Sequence, residues 1–210
     1  RTVALDESPN GEVNGTGIFP LGSSTNLEAT PNLGYIFVEW SGDAIGTQNP
    51  LPVVADSDIS ITAVFIRDQQ DPDGDGLSNY QELIIHETDP NDADTDGDGF
   101  SDGLEISEAS NPNESENYPT RLIAVTESDN GTVTGSGTFA LGSSTNLEAI
   151  PDLGYIFVGW RGDASGTQNP LPVIADANLL ISALFSQDQR DPDGDGLSSY
   201  QELILYETNP

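Results

Sequence analysis

The stretch Asp71-Pro-Asp-Gly-Asp-Gly-Leu-Ser-Asn-Tyr-Gln-Glu82 decides how this chain is read, and its pattern recurs at 94–105 and 191–202. Every copy has Asp at positions 1, 3 and 5, Gly at position 6 and Glu at position 12. That is the spacing of a calcium-binding loop. Alternate carboxylates in a tightly curled loop converge on one point, and the Gly permits the sharp turn. Position 7 adds a backbone carbonyl, and the Glu at 12 can close the oxygen shell with both its oxygens. The expected ligands of the first loop are Asp71, Asp73, Asp75, Leu77, Asn79 and Glu82. Those of the second are Asp94, Asp96, Asp98, Phe100, Asp102 and Glu105. The third offers Asp191, Asp193, Asp195, Leu197 and Glu202, with Ser199 a weaker candidate at position 9. A disordered acidic linker would need neither the fixed Gly nor the terminal Glu, and magnesium prefers fewer protein ligands. The expectation is one Ca2+ per loop, about three in all.

Charge narrows the partners. The 210 residues carry 36 acidic against 5 basic side chains, a formal charge of −31. All the basic residues are Arg (Arg1, Arg67, Arg121, Arg161, Arg190), and Lys is absent. Such a chain repels phosphate backbones and anionic lipid, so neither nucleic acid nor membrane insertion is expected of this segment. Within each loop the carboxylates repel one another until a cation binds, so calcium should order what is otherwise loose. Three ions leave the surface strongly acidic, which suits calcium-rich or salty surroundings. With no Cys there is no disulfide, no thiol catalysis and no Cys-type zinc site. No apolar run approaches the length of a bilayer span, and no signal peptide is visible.

Internal repetition organises the rest. Residues 1–90 recur at 121–210 without a gap, and Gly22-Ser-Ser-Thr-Asn-Leu-Glu-Ala29 is identical to 142–149. The pattern opens and closes mid-repeat, so a longer tandem array is expected. The boundaries read as β module 1 at 1–66, a two-loop calcium segment at 67–112 and a linker at 113–120. A second β module follows at 121–186, and a second calcium segment starts at 187–210. In the first module, strands are expected at 2–6, 12–14, 25–29, 35–40 and 59–65, from period-2 alternation and aromatic and β-branched content. Asn10-Gly11 reads as a hairpin turn, both positions wanting positive φ. Residues 41–50 read as a loop of turn formers. Ser78 and Gln81 form a capping box, followed by a short amphipathic helix that stops near Asp89-Pro90. Asp102 and Glu105 set up a similar helix after the second loop. The fold class is mostly β, small sandwich or β-grasp-like modules joined by EF-hand-like calcium loops with short helices in an extended array.

Those residues carry a resemblance. Gly131-Thr-Val-Thr-Gly-Ser-Gly-Thr-Phe139, Gly154-Tyr-Ile-Phe-Val-Gly-Trp160, Gly162-Asp163 and the closing Ile181-Ser-Ala-Leu-Phe185 resemble the divergent internalin-B-type repeat (B-repeat) of bacterial surface proteins. The Asp-rich part is similar to bacterial thrombospondin type 3 repeats, whose loops usually end in Asp rather than Glu. The resemblance implies secreted or surface-anchored proteins whose modules serve as spacers, adhesin stalks or fibres.

Sharper chemistry finds little support. Trp40 and Trp160, with Tyr35 and Tyr155, could stack sugars, but a domain this small needs its large residues in the core. His86 has Tyr206 as its counterpart and no partner constellation, so it reads as an exposed helix residue. No Ser has an adjacent His, and no catalytic constellation is present, so an enzyme is not expected. Asn14-Gly-Thr16, Asn113-Glu-Ser115 and Asn130-Gly-Thr132 fit the glycosylation sequon, but the Asn-Gly pairs are better explained as turns. The leading expectation is an extracellular or surface structural protein of a bacterium. It would be a calcium-rigidified stalk or self-assembling fibre whose partners are identical neighbouring repeats. The alternatives are an adhesin that binds a surface glycan or host protein through 41–50 and 161–170, and an accessory region of a secreted hydrolase.

Overall fold

The computed structural model describes all 210 residues and divides into two units, Arg1–Tyr118 and Pro119–Pro210. Each opens with the same β module. In the first, β1 (Thr2–Leu5), β3 (Gly17–Ile18), β5 (Tyr35–Gly42) and β7 (Ile59–Arg67) form one sheet in the order β3-β1-β7-β5. Strands β2 (Gly11–Asn14), β4 (Ser24–Pro31) and β6 (Leu51–Val54) form a second, ordered β2-β4-β6. All pairings are antiparallel except β1 with β7. The second module repeats this with β8 (Thr120–Val125) to β14 (Leu179–Gln187), in sheets β10-β8-β14-β12 and β13-β11-β9. No helix lies within either module, and both sheets contribute to one core, which favours the sandwich over the β-grasp arrangement.

The alternation expected of these strands places the core. Leu27 and Ala29 of β4 are buried between exposed Asn26 and Glu28, and Ile61, Ala63 and Phe65 point inward from β7. Val3, Trp40, Val53 and Ala55 complete the cluster. Burying one of the larger side chains contributes about 1.5–3 kcal/mol. Strict alternation would put Phe37 and Trp40 on opposite faces. A bulge between Phe37 and Glu39 resets the phase, leaves Val38 outside, and brings the two rings to 5.2 Å. Trp40 is only 1% exposed, and its indole N–H donates to the Gln48 carbonyl at 2.9 Å. Trp160 is buried in the same way, so neither forms a sugar-stacking surface. Loop 41–50 is pinned by Asn49, which accepts from the Ala29 N–H at 2.9 Å and donates to the Ala29 carbonyl at 2.7 Å.

The hairpin expectation fails. Asn10-Gly11 does not close a hairpin, because β1 and β2 belong to different sheets. Asn10 has φ 73°, but Gly11 is ordinary strand backbone paired with Pro31. Gly is required at 11 for another reason: a Cβ there would run into the Phe65 ring. The short strands β3 and β6 carry no alternation long enough to be seen in sequence.

The β module runs directly into the calcium segment. The Asp68 N–H donates to the Gly34 carbonyl at 2.9 Å and the Tyr80 N–H to the Asp68 carbonyl at 3.1 Å. Tyr80 packs edge-on to Tyr35 at 5.4 Å and lies under the Arg67 guanidinium at 4.4 Å. Gly34, at φ 74°, leaves room for Ile84, whose Cγ1 would stand 2.7 Å from a Cβ. The second unit repeats this docking with Asp188, Gly154, Tyr155, Tyr200 and Ile204.

Candidate metal centre

Local hydrogen bonds shape each loop. Asp71 accepts from the Gly74 and Gly76 N–H groups at 2.8 and 3.2 Å. Asp73 accepts from the Asp75 N–H at 3.3 Å, and Asp75 from the Leu77 N–H at 2.7 Å. These are Asx turns, in which a carboxylate oxygen captures a nearby backbone donor. The same set recurs from Asp94 to Phe100 and from Asp191 to Leu197. The glycines at position 6 have positive φ, and so do those at position 4 (Gly74, Gly97, Gly194), a requirement the loop template does not state.

The outcome is convergence. One carboxylate oxygen from each of Asp71, Asp73 and Asp75 lies within 4.8 Å of the others, and the triads Asp94/Asp96/Asp98 and Asp191/Asp193/Asp195 match it. Leu77, Phe100 and Leu197 follow each triad with side chains turned inward to varying depth. Leu77 is buried, and Phe100 and Leu197 are half-buried, Phe100 stacking on Tyr118 at 6.1 Å.

The position-12 glutamates hold the strongest physical information. Glu82 and Glu105 are 0% exposed and Glu202 is 1% exposed. Neither carboxylate oxygen of Glu82 or Glu105 has a hydrogen-bond partner, nor does Oε2 of Glu202. A buried, unpaired carboxylate is costly, and the fold keeps two of them, with one oxygen of a third. Burial, followed by the charges of Asp73, Asp75, Asp102 and Asp71, pushes Glu82 up to about 7. Burial is also the main cause at Glu105, likewise about 7, with the charges of Asp98, Asp96 and Asp102 adding to it. Glu202 is raised too, by burial and then by Asp193, Asp195 and Asp191. Asp73 Oδ2, Asp96 Oδ2 and Asp98 Oδ2 are buried and unpartnered as well. Each loop thus presents hard oxygen donors without protein donors to satisfy them, and a dication of the calcium type fits that donor set.

At position 9 the side chains also make bonds within the protein, although Asn79 Oδ1, the atom that could ligate, is buried without a partner. The Asn79 side-chain N–H donates to Asp68 Oδ2 at 2.8 Å, and Ser199 Oγ donates to the Arg190 carbonyl at 3.1 Å. Asp102 accepts from the Thr95 N–H and hydroxyl at 2.9 and 2.7 Å. The position-9 N–H also closes the loop in all three copies, donating to Gln70, Ala93 and Arg190 carbonyls at 2.7–2.9 Å. Position 9 therefore fastens the start of the loop.

The capping boxes form. The Ser78 N–H donates to Gln81 Oε1 at 3.0 Å, and the Ser198 N–H to Gln201 Oε1 at 2.8 Å. The turns that follow, Gln81–His86 and Gln201–Tyr206, are π-helical, whereas α1 (Asp102–Glu108) is an ordinary α-helix. All three stop at a residue in the left-handed region, Glu87, Ala109 or Glu207, short of the Asp89-Pro90 stop expected for the first. His86 is half-buried rather than exposed, and its carbonyl accepts from Asn113 at 3.0 Å.

Among protein-family models, the divergent InlB B-repeat domain matches residues 1–69 and 121–189, more than half of the chain. The chain belongs to the divergent InlB B-repeat family. The bacterial TSP3 repeat matches 71–93, 94–115 and 191–210, so each TSP3 match begins on the first Asp of one loop. Searches of the curated proteins and of the solved structures returned no match. InlB B-repeat modules thus alternate with TSP3 repeats, as expected of a structural bacterial repeat protein of the surface or extracellular type. Repeat domains of these families are in general non-catalytic. No helix is long and apolar enough to cross a membrane.

Proposed function

We propose that this chain is a structural segment of an extracellular bacterial repeat protein, a stalk or fibre whose joints are made rigid by calcium. The observation that carries this reading is the buried glutamate at position 12 of every loop, with one or both oxygens unpartnered, set beside a converged aspartate triad. In the first loop Asp71, Asp73, Asp75 and Glu82 would hold the ion, with the Leu77 carbonyl. The second and third would use Asp94, Asp96, Asp98, Glu105 and the Phe100 carbonyl, and Asp191, Asp193, Asp195, Glu202 and the Leu197 carbonyl. The bound ion supplies positive charge that offsets carboxylate repulsion and desolvation.

Glu82 lies in the first turn of the π-helical segment that carries Ile84 against Gly34, two residues after Tyr80 packs on Tyr35 and Arg67. Fixing Glu82 therefore fixes the angle between loop and β module. Extracellular loops of this kind bind at about 0.1–1 mM, where calcium is plentiful. The near-identity of successive units makes identical repeats the expected partners, since the same surface is presented repeatedly.

Small-angle scattering with calcium and with chelator, alongside calorimetric titration, tests this. The expected result is about three ions bound and a change from a flexible to a fixed particle. Weak binding with no change of shape would return the Asp-rich segments to solvated linkers. Strictly monomeric behaviour across a concentration series in calcium would remove the fibre form and leave the stalk.

A further inference from the structure

The two sheets of each module face solvent differently. On β2-β4-β6 the outward residues are mostly polar, Glu12, Asn26 and Glu28 among them, and Asn146 and Glu148 take the same places in the second module. An antiparallel sheet with one face in the core normally shows this alternation. The sheet β3-β1-β7-β5 departs from it. Val3, Ile61, Ala63 and Trp40 point into the core, so Ile18, Ile36, Val38, Val64 and Ile66 stand on the outer side. Ile18 is 86% exposed and Ile66 48%, too open for core residues. The same face of β10-β8-β14-β12 presents Leu122, Ile156, Val158, Leu180 and Leu184. In a chain with 36 acidic residues, the outward strand residues of these two faces include one acid, Glu39 in the first module. They include one base, Arg161 in the second. Both are exposed, and neither side chain is paired within the chain.

An apolar face depleted of charge is the composition of an interface core. The partner that fits is another copy of this chain. A copy carries −31 and is repelled by every acidic surface, so two copies approach through the faces that lack acids. The lone charges then choose the pairing. Two first-module faces would set Glu39 against Glu39, and two second-module faces Arg161 against Arg161. A first-module face on a second-module face sets Glu39 against Arg161. We propose that the outer face of β3-β1-β7-β5 docks on the outer face of β10-β8-β14-β12 in a second copy, with Glu39 meeting Arg161. This rests on the fibre form of the reading above and gives it a contact surface. With the strands of the two sheets running in opposite directions, β5 lies over β12, which brings both charges to the same edge. Each copy has one face of either kind, so the contact is heterologous and passes from copy to copy. Four strands about 4.8 Å apart make a face about 20 Å wide. That is smaller than a standard interface, so one contact is weak and repetition along the array supplies the strength.

The test is sedimentation of the whole 210-residue chain in calcium, over a concentration series reaching the high micromolar range. Glu39→Arg and Arg161→Glu should each weaken association by roughly tenfold or more. Glu39→Arg lowers the net negative charge, so general repulsion would not explain that loss. Mixing the two variants in equal amounts should restore association, because each offers the other the opposite charge. Ile66→Glu should weaken it as well, and Glu28→Arg, on the outer face of the other sheet, should not. Circular dichroism and thermal unfolding verify folding, and the substituted side chains are all exposed. If the parent chain associates but the mixture does not recover, or if either charge variant associates as the parent does, this contact is overturned while the fibre reading stands. If the parent stays monomeric throughout, the contact and the fibre form fall together, and the calcium-made joint is decided separately by its ion titration.

Discussion

The loops at 71–82 and 191–202 share the sequence Asp-Pro-Asp-Gly-Asp-Gly-Leu-Ser and the same internal hydrogen bonds, yet they sit in different surroundings. Asp73 and Asp75 are half-buried, with α1 seated on Asp75, whereas Asp191, Asp193 and Asp195 are all exposed. The curl of the loop is local, set by Asx turns and by glycines at positive φ. Its dielectric environment depends on what packs on it. The fastening at position 9 differs as well. Asn79 reaches Asp68 directly, while Ser199 is too short for the matching Asp188. There Arg190 takes over, donating from Nε and Nη2 to Asp188 at 2.8 and 2.6 Å and holding its carboxyl below the usual range. Two different side chains solve one problem, tying the incoming strand to the loop.

The largest expected effect separates the two loops by their glutamates. Glu82→Gln should weaken the first site by about 10- to 100-fold, because ligand charge sets affinity in such loops, and should loosen the joint while β module 1 stays folded. Glu202→Gln should weaken the third site and leave the other two alone. Calorimetry and hydrogen exchange read both, and unchanged calcium affinity in Glu82→Gln would remove Glu82 from the ligand set.

A smaller effect concerns the fastening. Asn79→Ser should cost about 0.5–1.5 kcal/mol by loss of the bond to Asp68. Adding Gln70→Arg should recover much of it by copying the third loop. Denaturant unfolding of the two variants measures this, and no recovery in the double variant would break the equivalence of the two devices.

The smallest effect is that of pH, which acts on all loops in one direction. Glu82 and Glu105 rise from 4.5 in the unfolded chain to about 7 when folded without cation. The folded loops therefore bind more protons in that window, and their stability falls as pH rises through it. In chelator, the calcium segments should melt at a higher temperature at pH 5 than at pH 8. With calcium, affinity should fall as pH drops below 7, since proton and ion compete. Melting curves at the two pH values, with and without calcium, check the sign.

Several features were legible because they depend on short-range spacing. The triads, the position-12 glutamates, the capping boxes and the alternation of Leu27 and Ala29 against Asn26 and Glu28 all follow from local periodicity. Other features were not. Gly11 looks like a turn glycine, and only the Phe65 ring packed over it reveals its use. Trp40 and Phe37, three apart, share a face only because of a bulge that no residue pattern announces. Asn79 matches a ligand position in the template, yet its side-chain N–H goes to Asp68, eleven residues away.

By itself the sequence determined the repeat, the mostly β modules, the loop chemistry and the strongly acidic charge, since these rest on composition and contacts a few residues apart. Tertiary structure decided the sheet partners of β1 and β2, the burial of the glutamates and the seating of Gly103 on Asp75. These depend on residues distant in sequence meeting at hydrogen-bond or van der Waals distance. Near-identical loops therefore differ in exposure here, because burial is a property of neighbours and not of the residue that is buried.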